Sequence, residues 1–174
     1  MVSQNHSAFG GIRTNRAKLL FPLFSSVFIR VHQWFRPNCY VSFSTMRREL
    51  TISEQSIDEP AQLAKRTMSP QMGAAVYFLG VVRDLEAGSP ISALEYESFQ
   101  RMAEHQFHLL FDEIEKRWPV ASIRLVHRIG AVKVNEPSLW VEVIAPHRGE
   151  AFAACQWLID RMKELVPIWK KPRA

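Results

Sequence analysis

The chain has 174 residues, 47% of them hydrophobic and 22% charged, a composition that fits one globular domain and excludes a disordered protein. Its net charge of +5 is unevenly distributed, because residues 1–45 carry five basic side chains and no acidic one, whereas residues 46–174 carry 17 of each sign. Bulk charge therefore predicts no nucleic-acid partner for the main domain. The two cysteines lack the spacing of a zinc site or a disulfide framework and suit a reducing compartment, so we expect a cytoplasmic protein.

Residues 1–45 differ in character from the rest of the chain. Their apolar stretch, residues 19–29, contains a proline and is too short to span a bilayer. A basic, acid-free segment suits a targeting presequence, but an untranslated region before a true start at Met46 is slightly favoured. Under either interpretation we expect residues 1–45 to be disordered, and we place the folded domain at residues 46–174.

From Glu49 onward the hydrophobic pattern predicts eight elements. In chain order they are strand 49–53, helix 58–67, strand 73–82, strand 91–99, helix 101–117, strand 122–130, strand 139–145 and helix 146–166. Asp58 is a favourable N-cap for the first helix, Pro119 ends the second, and residues 84–90 are expected to form a turn or mobile loop. The order β-α-β-β-α-β-β-α, with no repeat and no glycine-rich phosphate loop, predicts an α+β sandwich rather than a doubly wound sheet.

The two long helices each carry an apolar stripe at helical spacing. In the second helix the stripe consists of Ala103, Phe107, Leu110, Phe111, Ile114 and Trp118. In the last helix it consists of Phe152, Cys155, Leu158, Ile159, Met162 and Val166. Because Cys155 belongs to this stripe, we interpret it as a packed core thiol rather than a nucleophile. His105, His108 and His127 have no ligand-like grouping and are interpreted as surface or satisfied core residues.

Cationic residues at both ends of the last helix suggest a site for an anion. His147 and Arg148 stand at the helix start, where free backbone N–H groups and the helix dipole attract anions. The alternative is a capping histidine beside a solvated arginine. Lys163 lies near the other end beside apolar surface and could act as an acid, a base or a nucleophile, unless it only forms an ion pair with Asp160.

Two further cationic positions are candidates. Lys170 and Lys171 follow a tryptophan in a proline-bounded turn; the tryptophan could anchor the turn so that one lysine enters a pocket, although a charged tail is the simpler alternative. Arg83 stands at the end of a buried strand, and strand ends often border sites. A structural salt bridge from Arg83 to Asp84 or Glu86 is the alternative.

The distance between the helix ends limits how these residues combine. His147 and Lys163 are 16 residues apart, which is roughly 24 Å along a continuous helix. One small ligand cannot touch both within one chain. A site that uses both therefore predicts a symmetric dimer, in which the helix start of one subunit meets the helix end of the other.

Several segments between residues 49 and 171 resemble the large, catalytic subunit of molybdopterin synthase. The matching segments are GAAVYFLGVVRD, LEYESFQRMAE, RWPVASIRLVHRIGAV and APHRGEAFAACQWLIDRMKELVPIWKK. The resemblance implies an α/β-hammerhead fold and a homodimer of large subunits within a heterotetramer, with a small ubiquitin-like subunit at each end. It implies that the C-terminal Gly-Gly thiocarboxylates of the small subunits deliver two sulfurs to cyclic pyranopterin monophosphate (precursor Z). The product is the dithiolene of molybdopterin, in molybdenum cofactor biosynthesis, and no metal or cofactor of the protein's own is implied.

The resemblance also assigns roles position by position. Lys163 matches the family's essential helix lysine and Lys170 the lysine of its Trp-Lys motif, so both are expected to be catalytic. Arg83, His147 and Arg148 match pocket residues for the anionic substrate, expected to hold its phosphate and orient the pterin. Lys163 would then assist sulfur addition and release of the carboxylate, while Lys170 stabilises developing negative charge.

Two positions depart from the family pattern. The family continues beyond the Trp-Lys motif, whereas this chain ends at Ala174, so a pocket wall or partner contact from that tail is expected to be missing. Where the family tends to place glycine in a turn, this chain has Asn135, a residue that tolerates positive φ.

Three other functions stay open at this point. One is a non-catalytic module of the same fold that binds the small subunit but is inactive through its shortened C-terminus. Another is an anion- or nucleic-acid-binding protein driven by residues 1–45. The weakest is a hydrolase that uses Cys155 and His147, because two turns of helix separate these side chains.

Overall fold

The computed structural model describes residues 45–173. Its strands are β1 (Arg47–Ser53), β2 (Ala74–Val81), β3 (Leu85–Glu86), β4 (Ser89–Pro90), β5 (Ala93–Ser98), β6 (Ser122–Arg128), β7 (Gly130–Lys133), β8 (Pro137–Ala145) and β9 (Ile168–Arg173). Its helices are α1 (Glu59–Ala64), α2 (Gln100–Arg117) and α3 (Arg148–Leu165). None of these three helices is long and apolar enough to cross a membrane. The expectations for residues 1–44 fall outside the described residues and stay predictions.

Four strands form the main sheet in the order β1-β6-β8-β2. β1 runs parallel to β6, and the other neighbours are antiparallel. Helices α2 and α3 cover one face of this sheet, and together they enclose the main hydrophobic core. The predicted α+β class is confirmed, and all eight predicted elements are present, although α1 ends three residues earlier than expected.

The core stripes of the two long helices follow the helical period, with one exception. The stripe of α2 is confirmed, since Phe107, Phe111 and Ile114 are fully buried. In α3 the expected burial of Phe152 is wrong, because its side chain is 61% exposed. Ala151 is the buried residue at this point of the helix. Because successive residues differ by 100° around the helix axis, Phe152 then points away from the core.

A smaller sheet, β7-β5-β9, packs a second cluster of buried apolar residues. Here two sequence predictions are wrong. The segment bounded by Pro167 and Pro172 was expected to form a turn but lies in β9, which is antiparallel to β5. Residues 122–130 were expected to be one strand, but β6 ends at Arg128 and the backbone turns at Gly130, whose φ is 75°. Both features depend on pairing with β5, which local propensity does not reveal.

Positive φ angles mark two tight turns. The expected loop at residues 84–90 holds the short hairpin β3–β4, whose turn residues Ala87 and Gly88 have φ values of 50° and 83°. Two consecutive left-handed residues are the geometry of a tight two-residue hairpin. Asn135 has φ 68°, which confirms that asparagine adopts the left-handed conformation expected at this turn.

A buried ion pair connects α1 to the face of the main sheet that lies opposite α2 and α3. Arg124 and Glu142, opposite each other on β6 and β8, are 3% and 0% exposed. Arg124 Nε donates to Glu142 Oε1 at 2.7 Å, and Arg124 Nη2 donates to the carbonyl of Gln62 at 2.7 Å. The guanidinium also lies 4.8 Å from the ring centroid of Trp140. Each charge depends on the other, because Arg124 Nη1 and Glu142 Oε2 are buried and have no hydrogen-bond partner.

Replacing Glu142 with glutamine should therefore destabilise the fold strongly, because it leaves the Arg124 charge buried without a counter-ion. We expect a loss of about 3–5 kcal/mol in the free energy of unfolding, measured by chemical denaturation. The control is Glu113→Gln, which removes an exposed pair with Arg117 and should cost no more than about 0.5 kcal/mol. Equal losses in the two variants would contradict this account of the buried pair.

Candidate functional site

One cavity of about 550 Å³ collects three of the five predicted site residues. It lies where the end of β2, the end of α3 and strands β5 and β9 meet. Arg83, Lys163 and Lys170 line it. Three cations, one after the end of β2, one in α3 and one in β9, therefore face one space, which is suited to an anionic ligand.

Strand alternation explains why Lys170, and not its neighbour, enters the cavity. In the antiparallel pair of β5 and β9, Lys170 lies opposite Tyr96, and both residues line the cavity. Lys171 falls on the other face, where it pairs with Glu97 at 2.7 Å. The prediction that one lysine points into a pocket holds, but Trp169 does not anchor the segment, since it is 56% exposed. The pairing of β9 with β5 holds the segment in place instead.

The ion pairs differ from the alternatives suggested by sequence. Within residues 45–173, Arg83 and Lys163 have no carboxylate oxygen within 4.0 Å. Lys170 instead pairs with Glu86, with 2.6 Å between Nζ and Oε1. The hydrogen bond from Lys170 and the charges of Lys170 and Arg83 hold the pKa of Glu86 below its usual value. Glu86 was missed as a site residue because it lies in the predicted loop.

His147 and Arg148 lie at the opposite end of α3 and are not part of this cavity lining. His147 is the N-cap residue, but its side chain makes no capping hydrogen bond, so the capping alternative is wrong for that side chain. Both side chains are exposed. A Cβ added to Gly149 would meet nothing within 4 Å, so the helix start is open. The structure thus separates the predicted residues into two groups at the two ends of one helix.

A group of neutral polar residues lines the more buried part of the cavity. Tyr96 Oη donates to Ser138 Oγ at 3.2 Å, and Ser138 Oγ donates to the carbonyl of Gly80 at 3.3 Å. His127 is 6% exposed, and its ring packs edge-on against Tyr96 with 5.5 Å between centroids. Its Nδ1 lies 2.9 Å from the carbonyl oxygen of Arg128, a contact in which the neutral ring donates from Nδ1.

His127 is a buried, hydrogen-bonded residue, as one of the two interpretations from sequence expected, and it also lines the cavity. The sequence carried a signal for it, because Ile123, Leu125 and His127 alternate along β6 and the first two face the main core. A histidine that follows two core residues on the same face of β6 indicates that this face becomes polar where the core ends. Burial lowers the pKa of His127 below its usual value, so this part of the cavity wall is neutral where the rest of the cavity is cationic.

The comparisons with known proteins cover most of the described domain. The family model described as MoaE protein matches residues 52–165. The molybdopterin synthase catalytic subunit of Staphylococcus carnosus is 42% identical over 118 residues, which is 66% of this chain and 79% of that protein. The crystal structure of molybdopterin synthase from Staphylococcus aureus is 37% identical, with a TM-score of 0.63 over 71% of this chain and 88% of that one. The chain belongs to the MoaE family.

A more distant structure adds information on the fold. It is a protein–protein complex of subunits 1 and 2 of molybdopterin-converting factor from Helicobacter pylori, 20% identical with a TM-score of 0.57. The matched region covers 72% of this chain and 83% of the Helicobacter pylori chain. The resemblance stated from sequence is confirmed, and the fold is the one observed in MoaE structures.

Cys155 of this MoaE protein is inert by environment. It is 4% exposed, and burial raises the pKa of its thiol to about 11. A thiol that stays protonated is a poor nucleophile, which confirms the packed-thiol interpretation and leaves the Cys155–His147 hydrolase without a nucleophile. Within the described residues, no cluster of three or more His, Cys, Asp or Glu side chains could hold a metal ion.

Because the pKa of His127 is lowered in the folded state, the unfolding free energy should depend on pH. The folded state disfavours the charged ring, so His127 contributes stability above its ordinary pKa of about 6.5, and that contribution is lost as pH falls through the lower folded value. Between pH 7 and pH 5, wild type should therefore lose more unfolding free energy than His127→Asn, which keeps a donor for the Arg128 carbonyl. The exposed control, His105→Asn, should follow wild type. Parallel curves for wild type and His127→Asn would contradict the assignment.

Proposed function

We propose that this chain is the catalytic subunit of a molybdopterin synthase, an enzyme of molybdenum cofactor biosynthesis. The observation that carries the proposal is the convergence of Arg83, Lys163 and Lys170 on one cavity in a member of the MoaE family. Relatives named molybdopterin synthase catalytic subunit support it. The cavity offers positive charge next to a neutral polar wall, which suits a substrate with an anionic group and a polar ring system.

The reaction is sulfur transfer to cyclic pyranopterin monophosphate (precursor Z). The thiocarboxylate sulfur at the end of a small partner subunit forms a carbon–sulfur bond with a carbon of the substrate, and the carbon–oxygen bond at that carbon breaks, its oxygen leaving in water or with the phosphate group. Water then attacks the acyl carbon, the acyl carbon–sulfur bond breaks, and the partner is left with a carboxylate. Two such transfers give the dithiolene. Negative charge develops on the acyl oxygen during the attack, so fixed cations beside that oxygen lower the barrier.

Each cavity cation takes the role that the resemblance to the family implies. Lys163 stands in the last turn of α3 between buried Met162 and Val166, so apolar packing on both sides holds its backbone in place. It assists sulfur addition and release of the carboxylate. Lys170, on β9, stabilises the developing negative charge, and Arg83 binds the substrate phosphate through its planar donor group.

The sulfur donor is a small ubiquitin-like subunit with a C-terminal Gly-Gly thiocarboxylate. The two-subunit complex from Helicobacter pylori supports a partner of this kind. An extended Gly-Gly end carries no side chains, so its backbone can approach the lysines closely. The absence of a reactive cysteine in the described residues agrees with a sulfur atom supplied by the partner.

A second copy of the chain completes the site. α3 runs without a break from Arg148 to Leu165, so His147 and Arg148 cannot reach the cavity of their own subunit. They would bind the substrate in the cavity of the partner subunit. β2 is an edge strand, and beside it lies an apolar surface with Phe152 61% and Tyr77 37% exposed. This surface continues along α3 toward Lys163 and suits packing of two α3 helices about a two-fold axis.

Replacing Lys163 with alanine should abolish sulfur transfer while partner binding persists. We expect a fall of about 100-fold or more in turnover, the size of effect seen when one stabilising donor is removed from a transition state. The assay uses the thiocarboxylated small subunit and cyclic pyranopterin monophosphate, with dithiolene as product and calorimetry for partner affinity.

Lys116→Ala is the matched control, since Lys116 is an exposed lysine on α2 whose side chain is 72% accessible; it should retain full turnover. Undiminished turnover in Lys163→Ala would refute the catalytic role. A wild-type protein that binds the small subunit but forms no dithiolene would instead identify a non-catalytic binding module.

A further inference from the structure

Glu86 forms an ion pair with one of the cavity's three cations. Its carboxylate lies 2.6 Å from Lys170 Nζ, with side chains that are 22% and 51% exposed. Across residues 45–173, it is the one carboxylate within ion-pair distance of Arg83, Lys163 or Lys170. An anionic ligand that uses Lys170 must therefore compete with a carboxylate that belongs to the protein.

The register of β9 explains why this partner comes from outside the sheet. Lys171 and Arg173 lie on one face of β9 and pair with Glu97 and Glu95 of the neighbouring strand. Lys170 lies on the other face, where the opposing residue of β5 is the uncharged Tyr96. The strand pairing thus leaves Lys170 without a counter-ion, and the separate β3–β4 hairpin supplies one.

The hairpin can release Lys170 without disturbing either sheet. β3 and β4 contain two residues each and pair only with each other. The base of the hairpin is fixed, because Ile91 N donates to the carbonyl of Asp84 at 2.9 Å and Ile91 packs on the small core. Its outer part is open, since the turn residues Ala87 and Gly88 are exposed. Rotation of the Glu86 side chain is therefore sufficient to free the ammonium group.

We propose that the Glu86 carboxylate competes with bound ligands for Lys170. This competition determines how much negative charge a ligand needs in order to bind in the cavity. A phosphate or carboxylate group displaces the Glu86 carboxylate, whereas a neutral ligand does not. The inference rests on the proposed function only for the identity of the natural ligands, because competition for Lys170 applies to any anion. It makes Glu86 a specificity-determining residue of the site.

The test measures binding of inorganic phosphate, followed in NMR titrations through the backbone amide signals of Tyr96 and Ser138, which line the cavity. Glu86→Gln should bind phosphate about two- to fivefold more tightly than wild type, the range expected for a partly exposed ion pair. Glu97→Gln is the matched control, because it removes the same charge and frees Lys171 on the far face; its affinity should equal that of wild type. In a Lys170→Ala background, Glu86→Gln should give no gain. The gain should also shrink as added salt screens the charges.

Three results would overturn the proposal. They are an unchanged affinity in Glu86→Gln, an equal gain in Glu97→Gln, and a gain that persists without Lys170. An unchanged affinity in Glu86→Gln would show that Glu86 does not compete for Lys170. An equal gain in Glu97→Gln would attribute the effect to net charge, and a gain without Lys170 would attribute it to another cation. Because the readout is phosphate binding, its result is independent of whether the protein transfers sulfur.

Discussion

The length and rigidity of α3 constrain everything proposed for this site. An unbroken helix of 18 residues holds its ends at a fixed separation of roughly 24 Å between His147 and Lys163. The helix cannot bend to shorten that span, because Leu158 and its stripe neighbours are buried against the sheet. One end of the helix enters a cavity, and the other presents two cations to solvent. The same packing that forms the core thus divides the predicted site between two places.

Within the cavity, strand geometry sorts charge by position. The alternation of β9 directs Lys170 inward and leaves the other cations of that strand paired with carboxylates of β5. The alternation of β6 directs His127 to the inner wall. The result is an outer group of cations and an inner group of neutral hydrogen-bonding side chains. A substrate with a phosphate and a heterocycle matches that division, and Glu86 adds a charge requirement at the outer group.

Sequence reasoning succeeded where the pattern is local. The period of α2 and the position of Asp58 as an N-cap were both evident, and the structure confirms them. It failed where a partner is distant in sequence. β9 pairs with residues 70 to 80 positions earlier, so the prolines around the Trp-Lys-Lys segment were its main local signal, and the segment was mistaken for a turn. Phe152 was misplaced because apolarity does not say which side of a helix faces the core.

The candidate site was only partly evident from sequence for the same physical reason. The identity of Lys163, Lys170 and Arg83 came from the motifs, but their convergence depends on the packing of four elements. Tyr96 and Ser138 are ordinary strand residues whose role appears only when their hydroxyls are seen to face a cavity. Glu86 lies in a hairpin too short for a periodic signal.

The most direct test of the account is activity in a mixture of two inactive variants, Lys163→Ala and the double variant His147→Ala/Arg148→Ala. If one subunit's helix start completes the cavity of the other, each mixed dimer contains one site with no substitution. Equal amounts that exchange freely should then recover about a quarter of wild-type sulfur transfer. A mixture that forms dimers, verified by mass, but shows no more activity than the two variants measured separately would contradict the shared site.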